Sequence, residues 1–339
     1  MSPVEGATQD EALAEHLDSV VKNLTERRVI PFLGAAVNLC DRPLSFHWTP
    51  DQSEYLPGGA ELSEYLAEEF KYRESDRKDL LRVSLHTALE QGEGPLYEKL
   101  HDIFSPSYPP MSIHRLLAKI PGVLREKGYR SAGDRDLQRY IIVTTNYDCV
   151  LEQAFQDAGE SFHLLWYMND VNPELKGKFL HTPPGGQPET IRNPDEYLKI
   201  KTDPDQHPII IKIHGAVNPR ERDPDKDSYV ITEEDYVDYL TRLEVALFLP
   251  APSPVSFLRN HFLFLGYSLR DWNMRAMLYR VWHQRRRSIR SWAIQLHPQI
   301  MDKKFWSKMD VEIIDCDLHH YVDLLGERIA KLEPARGKP

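Results

Sequence analysis

No stretch of this 339-residue chain approaches the roughly 18–20 consecutive apolar residues that a membrane-spanning helix requires. Residues 1–10 hold no basic segment followed by an apolar core, so no secretory signal is expected. Cysteine is scarce. The three present, Cys40, Cys149 and Cys316, lie far apart and form no CxxC pair. That argues against a structural zinc site and a disulfide framework, and it fits a reducing cytoplasm. No metal is expected. Positive charge is also in the minority: 42 Lys and Arg stand against 52 Asp and Glu, for a net −10. Such a balance repels a phosphate backbone over most of the surface, so direct nucleic-acid binding is not expected. The local exception is Arg280, Arg285, Arg286, Arg287 and Arg290. A solvated helix face or the complement of a helix C-terminus is one reading, and a docking surface for an acidic partner or nucleic acid the other.

What is present is an ordinary globular composition, 41% hydrophobic and 28% charged, in a chain long enough for one large domain or two. Residues 10–28 place Leu13, Leu17, Val20, Val21 and Leu24 at amphipathic-helix spacing. Val29-Ile30-Pro31-Phe32-Leu33 then reads as a short buried strand running into Gly34-Ala35-Ala36-Val37-Asn38. Small residues after a first strand are where a dinucleotide fold lets backbone N–H groups approach phosphate. A plain turn or a close helix–strand contact explains them about as well.

Residues 40–59 read as a long loop, and helical patterns recur from 61 to 120. The central signal is Ile141-Ile142-Val143-Thr144-Thr145-Asn146-Tyr147-Asp148, an apolar strand that ends in short polar side chains. Further strands are expected at 161–167, 208–213 (ending in His214-Gly215), 261–265 (ending in Gly266-Tyr267-Ser268), 291–295 and 311–314. Residues 169–205 are expected to be a mostly irregular surface excursion, and helices are expected after Cys149, Thr232, Asp271 and Tyr321. Apolar strands alternating with helices predict an α/β, Rossmann-like doubly wound parallel sheet. The predicted organisation is an N-terminal helix (1–28) and one domain (29–335) with a helical insertion at about 60–130.

In open parallel sheets, ligands bind at the carboxyl ends of the strands. The four strand ends Gly34–Asn38, Thr145–Asp148, His214-Gly215 and Gly266–Ser268 are therefore expected to line one crevice. It offers an imidazole, an amide, a carboxylate, hydroxyls and a small-residue loop, a set suited to a nucleotide and to activating a hydroxyl or a water. His214 as a structural hydrogen-bond donor, Asn146 as a turn cap, and Asp148 and Ser268 as helix caps are the plain alternatives.

In that order the four segments resemble the NAD-binding motifs of the sirtuins. The likeness spans about residues 28–300 and is closest to the sirtuin-like, NAD-hydrolysing domains of bacterial antiviral defence systems. The chain lacks the four-cysteine zinc module of the deacylases, Ala36 and Asn38 stand where the family loop has glycine and serine, and the Pro-Asp-Phe-Arg stretch is absent. By resemblance, Asn146 holds a water or ribose hydroxyl and His214 is the general base. Gly34, Ala35, Ala36, Asn38, Asp41, Thr145, Asp148, Gly266 and Ser268 would contact NAD. The resemblance further implies a cytoplasmic homo-oligomer paired with a HerA-type translocase ATPase or an Argonaute-like protein. It leaves a deacylase or ADP-ribosyltransferase, and a non-catalytic NAD- or ADP-ribose-binding scaffold, as alternatives.

Overall fold

The computed structural model describes residues 9–50, 54–129, 139–169, 174–191, 207–218, 227–242, 260–269, 275–276, 278–279 and 289–335. Helix α1 (Gln9–Thr25) leads into β1 (Val29–Leu33) and a 3-10 turn at Ala35–Leu39. Helices α2 (Gly59–Glu69), α3 (Leu80–Gln91), α4 (Glu93–Phe104) and α5 (Ser112–Glu126) follow. Then come β2 (Ile141–Thr144), α6 (Val150–Asp157), β3 (His163–Tyr167), β4 (Phe179–Thr182), β5 (Glu189–Ile191) and β6 (Ile209–Lys212). A small antiparallel pair, β7 (Gly215–Ala216) and β8 (Ser228–Tyr229), precedes α7 (Glu233–Arg242) and β9 (His261–Leu265). The chain closes with β10 (Ser291–Gln295), α8 (Ile300–Ser307), β11 (Val311–Asp315) and α9 (Leu318–Ala330).

Nine strands form one sheet in the order β11-β10-β9-β1-β2-β6-β3-β4-β5. All neighbours are parallel except β3–β4 and β4–β5. The all-apolar strands explain this: a strand buried on both faces needs helices above and below it. Ile30, Phe32, Ile141, Val143, Ile209, Ile211, Phe262 and Phe264 pack on one face together with Tyr239 of α7 and Trp306 of α8. Val29, Leu33, Ile142, Ile210, Leu263 and Leu265 pack on the other face with residues of α1, α5, α6 and α9. The alternation along each strand is the period of two that a pleated backbone imposes.

The predicted insertion divides in two. Helices α2, α3 and α4 share a separate core with Val150, Val217, Tyr229 and Ile231. Helix α5 instead joins the layer on the sheet, through Ile113, Leu117, Ile120 and Leu124. The irregular excursion expected at 169–205 needs correcting, because β4 and β5 lie inside it and extend the sheet as an antiparallel edge. Its turn residues were legible, but strands of four and three residues between them are too short to show a period. Of the expected helix after Asp271, most residues lie outside the described ones, and so does most of the Arg280–Arg290 cluster. Arg290 itself pairs with Glu312 at 3.2 Å.

Strand β1 is the point where the winding reverses, with β2 on one side and β9 on the other. A crevice opens at such a switch point, beyond the carboxyl ends of the strands. Those ends carry Gly34, Thr145 and Gly266, with His214 one strand further on.

Candidate active site

The loops after β1, β2 and β9 are stitched together by backbone hydrogen bonds. Gly34 N donates to Leu265 O (3.0 Å), Ala36 N to Gly266 O (3.0 Å) and Thr145 N to Leu33 O (3.1 Å). A Cβ at Gly34 would sit 2.6 Å from Gly266 O, and one at Gly266 would collide with the Val37 backbone. Gly266 also has φ +62°, where side chains other than glycine's are strained. Both glycines are thus required for one loop to lie against another. The N–H groups of Gly34, Ala36 and Val37 are taken up within the protein, so the turn offers phosphate fewer backbone donors than its composition suggests. Ala35 and Ala36 are the exposed positions of this turn, and Ser268 is exposed across from it.

Asn38 and Asp148 form the buried floor. Asn38 Nδ2 donates to Asp148 Oδ2 (2.8 Å), and Val150 N donates to Asp148 Oδ1 (3.0 Å), so the carboxylate both caps α6 and orients the amide. Asn38 Oδ1 is buried without a hydrogen-bond partner. A buried acceptor left open in this way costs free energy unless something donates to it. A ribose hydroxyl would satisfy it, and the site fits a nucleotide in that respect.

Asn146 is half-buried at the lip, its backbone N–H held by Thr144 Oγ1 (3.0 Å) and its Nδ2 at the hydrogen-bonding limit, 3.5 Å, from Gly34 O. Thr145 Oγ1 leans on Leu33 O at 3.4 Å. His214 is buried at the end of β6, with Nδ1 3.2 Å from the Tyr236 hydroxyl and its ring edge-on to Tyr236 and Tyr239. Burial lowers its pKa to about 3, so the imidazole is neutral at physiological pH. Asp41 is engaged on the far side of the turn. It accepts from Ser112 N and Oγ, Arg115 Nη2 and His319 Nδ1, and so ties the first turns of α5 and α9 to the loop after β1.

Sequence reasoning passed over the group that holds the lip in place. Lys212, the last residue of β6, is fully buried and donates to Tyr147 O, Asp148 O and Glu152 Oε1 (the last at 2.8 Å). Burial alone would pull its ammonium pKa down, but the Glu152 and Asp148 charges outweigh this and raise it. All three donors of the ammonium are aimed at the segment that follows Asn146. The available signal was a lysine ending a strand of three isoleucines, since a buried cation demands an anion close by. Tyr236 was likewise missed, because only the fold brings α7 over His214.

Two large cavities are present among the described residues, and one borders these elements. One of about 840 Å³ runs from Ser268 across to Gly59, Glu64 and residues 75–81, between the crevice mouth and the α2–α3 layer. The other, about 820 Å³, lies between α8 and β11, three strands from β1 and away from the chemistry described here. The geometry of residues favours the crevice around β1, where polar side chains converge.

Among the described residues, Cys40, Asp41 and His319 bring one potential metal-ligating atom each within 4.8 Å of one another. No helix among the described residues is long and apolar enough to cross a membrane. A search of curated proteins returned no match. The family profile described as a SIR2-like domain matches residues 140–314, from the strand leading into Asn146 to β11. That is just over half of the 339 residues, and by it the chain belongs to the SIR2-like family.

Proposed function

We propose that this SIR2-like chain is an NAD glycohydrolase that cleaves NAD to nicotinamide and ADP-ribose. The reading rests on Asn146 beside Gly34 at the lip, on the buried open acceptor of Asn38, and on His214 just past the end of β6, the strand that pairs with β2. Cleavage of an N-glycosidic bond passes through an oxocarbenium-like state. Water attacks the anomeric carbon, the bond to the ring nitrogen breaks, and its electron pair neutralises the pyridinium. Nicotinamide therefore leaves without a general acid. Asn146 positions the water, and neutral His214 accepts its proton, which passes to solvent. A base with so low a pKa suffices, because a water adding to a cationic sugar is far more acidic than bulk water.

On the same resemblance we propose that the activity depletes NAD in antiviral defence. The working form would be a homo-oligomer gated by a HerA-type ATPase. The burial of His214 favours one second reading, a non-catalytic module that holds NAD or ADP-ribose for a partner. The purified chain, alone and with its ATPase, is incubated with NAD and with an acetylated peptide, and products are separated by chromatography. Equimolar nicotinamide and ADP-ribose without peptide are expected. Intact NAD in both settings, or nicotinamide release only with peptide, overturns the glycohydrolase reading.

A further inference from the structure

We infer that Cys40, Asp41 and His319 form a binding site for a zinc-like divalent cation. The three residues come from opposite ends of the chain, yet Cys40 Sγ, an Asp41 oxygen and a His319 ring nitrogen lie within 4.8 Å of one another. Thiolate, imidazole and carboxylate together suit a borderline-soft ion with tetrahedral preference, and three protein ligands leave one position for water. Small movements close that spacing to the separations of a tetrahedral shell.

A second observation points the same way. His319 presents Nδ1 to Asp41 Oδ1 (2.9 Å), while its Nε2 faces Asp323 Oδ2 (3.5 Å). A metal-ligating imidazole characteristically gives its other N–H to a carboxylate, which fixes the ring and its tautomer. The surrounding charge is favourable as well: Asp317 and Asp323 stand near the cluster in addition to Asp41, with Arg115 on Asp41. On binding, the Cys40 thiol gives its proton to solvent, His319 keeps one ring proton on Nε2 toward Asp323 and releases any second one, and the hydrogen bond between Nδ1 and Asp41 Oδ1 is exchanged for coordinate bonds. The ion would clip the segment leaving the Gly34–Asn38 turn to the first turn of α9, independently of whether the crevice turns over NAD.

The test is titration of the full chain, stripped of metal by chelation, with Co²⁺. One equivalent is expected to produce a thiolate-to-cobalt charge-transfer band and the intense visible bands of a four-coordinate ion, both displaced by Zn²⁺. Cys40→Ser and His319→Ala abolish the charge-transfer band or its one-equivalent end-point, Cys149→Ser keeps both, and Asp323→Asn weakens affinity about 10–100-fold. Absence of the charge-transfer band in the folded wild-type chain overturns the site. So does its persistence in Cys40→Ser.

Discussion

Asn146 and His214 sit in different surroundings, and the difference sets what each substitution does. Asn146 sits half-buried at the lip, held mainly through its backbone, so Asn146→Ala removes an amide without opening the core. NAD cleavage is expected to fall about 100-fold or more while the thermal melting point stays put, checked by nicotinamide release beside a melting curve. His214 is sealed in with Tyr236 and Tyr239, and its low pKa has a consequence for stability. His16 and His114 share this condition, each with a pKa lowered to about 4 by burial. Below the ordinary value of 6.5 the unfolded chain takes up protons at these sites that the folded chain refuses. The unfolded state then binds more protons, so stability falls as pH drops from 6.5 toward 4 and is fully present above that window. His16→Leu is expected to flatten this slope by about 2 kcal/mol at about pH 5, at 1.36 kcal/mol per pKa unit. Urea unfolding at neutral pH and at pH 5 reads it directly. At this scale the sequence showed residue identities well and pairings poorly. Asn38, Asp148 and His214 could be singled out by their place after apolar strands, whereas the bond between Asn38 and Asp148 joins residues 110 apart.

Among the elements, the strands were the most legible, because burial on both faces writes itself as unbroken isoleucine, valine and phenylalanine. Strands β1, β9 and β10 fall where the sequence pattern predicts, and β2, β3, β6 and β11 within a residue or two. The short β4 and β5 were hidden among turn residues, and α8 passed unnoticed because Ile300, Met301 and Phe305 leave much of its apolar surface exposed. Strand β6 carries a feature that patterning could not show, the lysine beneath the lip. Lys212→Met leaves Glu152 charged and buried, and two backbone carbonyls without their donor. A loss of about 3–5 kcal/mol is expected in chemical denaturation, the range for breaking a buried ion pair from one side. Replacing both partners, as Lys212→Met with Glu152→Leu, is expected to recover much of the stability while leaving NAD cleavage impaired. Equal recovery of stability and cleavage would show that Lys212 only holds the fold.

For the molecule as a whole, the deciding fact is where the winding of the sheet reverses. Local sequence could say that four strands end in small or polar residues. It could not order them, and only the order β9-β1-β2-β6 puts those ends side by side. The same closure of distant segments places His319 against Asp41, 278 residues away, and α2 and the start of α3 across a cavity from Ser268. Neither was accessible from periodicity or motif. The central claim is that this switch-point crevice cleaves NAD through Asn146 and His214. The measurement that tests it most directly is nicotinamide release from NAD by the wild-type chain, alone and with the proposed HerA-type ATPase, compared with the Asn146→Ala and His214→Ala chains. Steady release by the wild type, lost by about 100-fold or more in two variants that remain folded, is the predicted result. Release undiminished in both folded variants, or none from the wild type, would contradict it.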